Sequence, residues 1–276
     1  MKTKTLPFLV LLGCFGCSPS HDNPGLSDVN LGPATSFDEA SNGIHFKSGE
    51  SRLIGRDFAF QGKTVRYLVP SLALFEVKSD TVIEGISGQN VDVSFWEFTK
   101  DSTLELHWKQ LIAYQDSVAT TYELQGGQPA PLLYGLLKGS ALDTNVFLDR
   151  DIQLRYPLVA GKEWNLRLSD DPFYIETLQK KYIGREKVAL GGAEYDCGKF
   201  EHYFLGGAVG RSWISSRGLL KAEVDYGKSE FRDEQDNIVD SAHTTEAYRL
   251  MQVNPSAAFL AAAKAAAKTR YLKTGF

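Results

Sequence analysis

The sequence predicts an all-β fold, mainly antiparallel: a curved β-meander or half-barrel with a short C-terminal Ala-rich helix. Three observations carry this prediction. From about His45 apolar residues recur at every second position, Gly- and Asn-containing turns separate the runs, and an alanine-rich stretch follows only after residue 254. Successive side chains of a strand point to opposite faces, so such alternation gives one buried and one wet face, as antiparallel sheets have. The chain holds 16 Phe and 12 Tyr against 2 Met, which also favours strands.

The N-terminus comes first. Lys2 and Lys4 precede an apolar run, Leu6 to Leu12, that ends in Gly13-Cys14-Phe15-Gly16-Cys17. The run is too short for a bilayer, which takes about 20 apolar residues. It reads as a signal peptide over residues 1–16. The segment resembles the signal of bacterial lipoproteins, in which a small residue precedes a cysteine that is acylated and becomes the new N-terminus. That resemblance implies acylation at Cys17, with Cys14 as the alternative. Cys14 has the favoured Leu11 three residues upstream, whereas Cys17 leaves an apolar run of more normal length and leads into Ser18-Pro19-Ser20. Each buried methylene of an acyl chain contributes about 0.8 kcal/mol, so a multiply acylated cysteine is a durable membrane anchor. The only further cysteine is Cys197. With Cys17 acylated, Cys197 stands alone. With Cys14 acylated, Cys17 could pair with Cys197 in an oxidising compartment.

Loss of residues 1–16 leaves 28 Lys+Arg against 34 Asp+Glu, a charge of −6. A nucleic-acid partner needs a basic footprint, so none is expected. Residues 17–44, rich in Ser, Pro, Asn, Gly and Asp, read as a flexible tether that cannot offset its own ordering entropy. Residues 45–253 form the antiparallel β domain, and 254–276 the C-terminal helix and tail.

Within the domain, Val65, Tyr67 and Val69 alternate with Arg66 and Leu68, and Leu104, Leu106 and Trp108 with Glu105 and His107. Trp164, Leu166 and Leu168, and Ala222, Val224 and Tyr226, repeat the pattern. Turns are expected at Gln61-Gly62, Ser87-Gly88-Gln89-Asn90, Gly191-Gly192, Gly206-Gly207, Tyr226-Gly227-Lys228 and Asp236-Asn237, where Gly and Asn tolerate positive φ. One stretch breaks phase: Val91, Val93 and Phe95 share a face, yet Trp96 and Phe98 fall on the other. A β-bulge is the expected cause; a second layer over a strand apolar on both faces is the alternative. Residues 126–145 interrupt the meander with Pro129 and Pro131, then an uncharged Leu/Tyr run, read as a packed connection between two halves of the sheet or as the lip of an apolar pocket. At the end, Asn254 is the expected N-cap, with Pro255 in the first helical position. Residues 257–267 hold eight alanines, and cations cluster late in the helix, as its dipole prefers. This helix is expected to be solvated or loosely docked.

No catalytic or metal-ligating residue is predicted, and no cofactor. None of the five histidines has the i, i+4 partner of a zinc helix, and there is no nucleophile elbow. His107 and His202 read as sheet positions. Gly206-Gly207-Ala208-Val209-Gly210 lacks the Lys of a phosphate loop and reads as a hairpin. Carboxylates at Asp149-Arg150-Asp151, Asp170-Asp171 and Asp233-Glu234-Gln235-Asp236 read as solvated turns. Trp108, Trp164 and Trp213 are the candidate contacts for a ligand in an apolar concavity.

Two later segments carry a resemblance. Tyr156-Pro157-Leu158-Val159-Ala160-Gly161-Lys162-Glu163-Trp164 is similar to a strand entry, and Trp213-Ile214-Ser215-Ser216-Arg217-Gly218-Leu219-Leu220-Lys221 to a strand pair. Between them, Gly184 to Val188 and Cys197 to Phe200 look like a paired hairpin. Together they resemble uncharacterised bacterial envelope lipoproteins with a half-barrel sheet, broadly like the carriers of lipoproteins to the outer membrane. The resemblance implies a curved sheet with one concave apolar face and carries no catalytic residue. The expected function is a membrane-anchored, non-enzymatic binding or assembly module for an apolar ligand or an envelope protein, with the outer membrane, facing the periplasm, as its place. A lipid or lipoprotein carrier, and an envelope glycan hydrolase, are the alternatives.

Overall fold

The computed structural model describes residues 31, 36–40, 46–83, 85–115, 117–124, 147–165, 179–203, 209–233 and 235–274. Cys14, Cys17, residues 126–145, Asp170-Asp171 and Gly206-Gly207, singled out above, lie outside them.

The expected curved antiparallel sheet is present. Strands β1 (Ser51–Gln61), β2 (Arg66–Ile83), β3 (Ile86–Phe98), β4 (Thr103–Gln115), β5 (Val118–Leu124) and β6 (Phe147–Arg155) form one meander. Strands β7 (Glu163–Asn165), β8 (Gln179–Leu190), β9 (Ala193–Tyr203), β10 (Val209–Ser215), β11 (Gly218–Arg232) and β12 (Ile238–Val253) form a second. Pairing of β1 with β12 fuses them into one sheet with β6 and β7 at its two edges. Helix α1 (Ala257–Arg270) and the short strand β13 (Leu272–Thr274), which pairs with β2, complete the fold.

Cross-strand partners share a face, so the register defines the inside of the curve. Ile54, Ala73, Phe95, Tyr248, Ala222, Phe200 and Tyr182 lie on one face, as do Ala119 and Leu154. Ala119 and Leu154, from strands beside one edge, pack in a single cluster with Trp164, Tyr182 and Phe200, from strands beside the other. Both ends of the sheet therefore meet over this face, which is concave, and the sheet is nearly closed into a barrel. The segment Tyr156 to Lys162 spans the gap between the edges. Tyr156 and Leu158 are buried in the cluster, and the Gly161 N–H donates to Tyr182 O at 2.8 Å while the Tyr182 N–H donates to Lys162 O at 2.9 Å. Gly161, at φ +88°, makes that turn.

Several sequence-based expectations are corrected. The phase break in β3 is not a bulge: Phe95 and Trp96 stay in continuous register with Ala73 and Leu72 of β2 and with Leu106 and Glu105 of β4. The strand is apolar on both faces because α1 covers the convex one. Ala263 and Ala267 sit on Leu53, Leu72, Trp96, Phe98 and Met251, and the Lys264 ammonium lies 3.5 Å from the Trp96 ring centroid. Arg270 pairs with Asp57. Of the two expected states, solvated or loosely docked, the helix takes the docked one: alanines let its backbone approach the sheet closely, and a cation over a ring adds to the contact. Its N-cap is Ser256, whose Oγ accepts from the Phe259 N–H at 3.1 Å. Asn254 instead, at φ +50°, ties the start of β1, accepting the Ser51 N–H on Oδ1 at 2.8 Å.

Ser87 to Asn90 lie within β3. Gly88 there answers to close strand approach and not to a turn, since a Cβ would meet Ile112 O at 2.6 Å. Tyr226-Gly227-Lys228 is a bulge inside β11, where the register with β12 shifts and Gly227 takes φ +71°. Two residues of the expected tether are docked. Leu31 and Phe37 are buried, and Phe37 packs edge-on against Phe200 at 6.5 Å.

Asp240 anchors the β1–β2 turn on β12. Its carboxylate accepts the N–H groups of Thr64 and Val65 and the Thr64 hydroxyl at 2.8–2.9 Å. These bonds favour the charged form and hold the carboxyl well below the usual carboxylate range. A depressed carboxyl contributes stability that is complete above its unfolded value of about 4 and is lost as pH falls toward the folded value. The melting temperature of the wild type is therefore expected to fall more steeply below about pH 4 than that of Asp240→Asn, which is less stable at neutral pH. Parallel melting curves across that range would contradict this.

Candidate functional site

The three candidate tryptophans are all buried, at 3–4% exposure, but they do not converge. Trp108 faces the concavity and packs on Phe95 at 6.5 Å. Trp164 belongs to the cluster that closes the barrel and lies edge-on to Phe200 at 6.2 Å. Trp213 is directly opposite Lys199 and Lys221, on the other face from Ser212 and Phe200. Its ring lies beneath the Lys221 ammonium at 3.9 Å, and its Nε1–H donates to Glu186 at 2.9 Å. Each tryptophan is packed by other side chains in a separate cluster, Trp213 with Tyr195, Cys197 and Leu220. No shared apolar lining forms from them.

The concave face carries a different set of groups. Its register runs Leu104, Glu97, Ser71, Arg56, Tyr248, Ala222, Ser212, Phe200 and Tyr182 in one row across the sheet. The adjoining row includes Phe58, Glu246, Val224, Gly210, His202 and Lys180. Charged residues therefore stand in phase with the core. Arg56 Nε donates to Glu246, whose other oxygen accepts the Tyr226 hydroxyl at 2.7 Å. Arg56 Nη1 reaches Glu97 at 3.5 Å, the long limit of a hydrogen bond. The Glu246 side chain is 3% exposed, that of Arg56 14% and that of Glu97 32%, so the network climbs from the interior to solvent.

Burial works against the charge on Arg56, but Tyr248, Glu246 and Glu97 together hold its guanidinium charged above the ordinary range. Burial first, then Glu246, push the Tyr226 hydroxyl up, so it stays a donor. Deeper in, His202 Nε2 and Ser212 Oγ are 2.7 Å apart. Burial and the nearby Lys180 push the His202 imidazole well below its ordinary value, and it is neutral. Lys180, at 1% exposure, places its ammonium 4.9 Å from the Phe200 ring centroid. Cys197 is a free, buried thiol pushed up to about 12 by burial and then by Asp196, and it is inert as a nucleophile.

At the open end of this face the rings gather. Tyr67 and Tyr271 meet edge-on at 6.0 Å, and Phe58 tilts against Tyr226 at 6.5 Å. Tyr271 precedes β13, whose Leu272 is opposite Leu68, so the C-terminal segment supplies one wall of the opening. Leu104 is 50% exposed beside Glu97. Chemically, the set offers one guanidinium, one half-exposed carboxylate and tyrosine hydroxyls: groups that recognise and orient a ligand.

Sequence reasoning placed His202 in a strand and missed Arg56, Glu97, Glu246 and Lys180. A signal was present: Arg56 sits between Ile54 and Phe58 in the apolar phase, and Glu246 between Thr244 and Tyr248. Of the carboxylate clusters expected as solvated turns, Asp149-Arg150-Asp151 lies instead within strand β6, paired with Thr121 to Glu123 of β5, because the run continues the sheet ladder. Asp233 closes a turn by accepting the N–H groups of Gln235 and Asn237. No group of three or more His, Cys, Asp or Glu suited to a metal occurs among the described residues, and none of their helices is long and apolar enough to cross a membrane.

No protein-family description matches the chain, and no curated protein does. Among solved structures, it is similar to a protein of Bacteroides fragilis NCTC 9343 described as exported with a YmcC-like fold, at 9% identity and a TM-score of 0.37. It is also similar to a protein of Parabacteroides distasonis ATCC 8503 described as a lipoprotein, at 10% identity and a TM-score of 0.29. Each alignment covers 80% of this chain and 100% of the other. At these values neither likeness defines a family.

Proposed function

We propose that this is a membrane-anchored lipoprotein of the bacterial cell envelope, held by acylated Cys17, whose nearly closed sheet is a non-enzymatic binding module. The observation that carries the reading is the open end of the concave face, where half-exposed Glu97, Arg56 and four aromatic rings stand over a packed core. Binding sites place a few convergent polar groups on a rigid wall in this way. The ionisable groups beneath are engaged with one another: Glu246 holds Arg56 with one oxygen and Tyr226 with the other. Such mutual engagement suits recognition better than proton transfer. The outer membrane, on its periplasmic side, is the location this reading assigns.

The anchor is tested by growth with an alkynyl fatty acid, followed by gel detection of the labelled protein. Label on the wild type and on Cys14→Ser, and its loss on Cys17→Ser, are expected. Label retained by Cys17→Ser and lost by Cys14→Ser would move the anchor to Cys14, and an unlabelled wild type would refute lipidation.

A further inference from the structure

Resting on the reading of the sheet as a binding module, we propose that the mouth formed by Glu97, Arg56, Tyr226, Tyr67, Tyr271 and Leu104 binds an uncharged, hydroxyl-rich glycan chain. Four observations point to this class of ligand.

The first is charge. Arg56 and Lys273, the latter directly opposite Tyr67 on β13, balance Glu97 and Glu246. A mouth with no net charge has no excess field to draw in a phosphate or an ammonium group. The second is the type of polar group. A carboxylate accepts with two oxygens and a guanidinium donates from a planar fork, so each matches a pair of neighbouring hydroxyls. The 3.5 Å contact between Arg56 and Glu97 is long enough for ligand hydroxyls to take its place. Ser71, directly between them in the register, keeps a buried hydroxyl with no hydrogen-bond partner, at 1% exposure. It is a further polar group aimed into this face.

The third observation is the rings. Tyrosines offer an apolar face and a hydroxyl on a stiff side chain, which suits a ligand with apolar ring faces and polar edges. The fourth is depth. Below the mouth Phe95, Trp108 and the cluster around Phe200 pack the concavity among the described residues, which leaves less room there for an acyl chain than for a ligand at the rim. Partly exposed rings and Glu97 above this packed interior instead suit a chain that lies across them.

The test uses the full chain in a detergent without sugar headgroups, titrated with uncharged hexasaccharides of glucose and of N-acetylglucosamine and followed by calorimetry. Binding of at least one hexasaccharide is expected, with affinity reduced about tenfold or more in Glu97→Gln and in Tyr271→Ala. Both sites are partly exposed, and a melting temperature near that of the wild type confirms that these variants remain folded. Absence of binding by both sugars, or equal binding by folded variants, overturns the proposal. If the wild type then carries a non-glycan species from its own envelope, and Glu97→Gln loses it, the glycan assignment falls while the binding module stands. If no species is carried and no sugar binds, both fall.

Discussion

Arg56→Met is expected to lower folding stability by about 3–5 kcal/mol, because it leaves a carboxylate buried without its cation. The Glu246 side chain is 3% exposed and keeps only the Tyr226 hydroxyl once the guanidinium is gone. A charge taken out of water without a partner is far more costly than the lost ion pair itself is worth. The double variant Arg56→Met/Glu246→Leu is therefore expected to recover most of the loss, since an apolar pair of similar volume meets no desolvation cost. Urea unfolding followed by tryptophan fluorescence measures both. If the single variant loses less than about 1 kcal/mol, the pair is not buried as described; if the double variant is no better than the single one, unpaired charge is not the cause.

Phe200→Ala is expected to cost about 3–5 kcal/mol and to loosen the closure of the barrel. Phe200 is fully buried and meets Phe37, Trp164 and Tyr182 at 6.5, 6.2 and 5.2 Å, so one ring joins the N-terminal segment, an edge strand and β8. Removing it leaves a cavity that these rings cannot collapse to fill, because each is held on a different element. Phe200→Leu keeps most of the volume and is expected to lose less. Faster hydrogen exchange at the Gly161 and Tyr182 amides, which join the bridging segment to β8, would report the loosening. An alanine variant within about 1 kcal/mol of the wild type would show that the closure does not depend on this ring.

The fold was legible because its strands obey period two. Leu106 and Trp108, or Ala222 and Val224, announce one inward face without reference to any other strand, although Leu104 in the same phase is exposed. The paired turn glycines at 191 and 192, both at positive φ, were equally plain. Two things were not legible. Which strand a second layer covers depends on where α1 docks, so the phase of Trp96 and Phe98 favoured a bulge over the covered second face that a helix from the far end of the chain in fact provides. The site was hidden for a related reason. Arg56 and Glu246 are 190 residues apart, and only the pairing of β1 with β12 brings them together. A charge in the apolar phase of a strand was the available sign of a buried polar network. The candidate tryptophans, each an alternate strand residue, lie in the core, where large rings most often go.

A binding role requires the open end of the concave face to be occupied in the envelope. The most direct measurement is a native mass spectrum of the full-length protein released gently from its own membrane, wild type beside Glu97→Gln/Tyr271→Ala. The wild type is expected to carry an additional bound mass that the folded double variant lacks. Identical spectra with no bound species on either protein would contradict a binding role for this face.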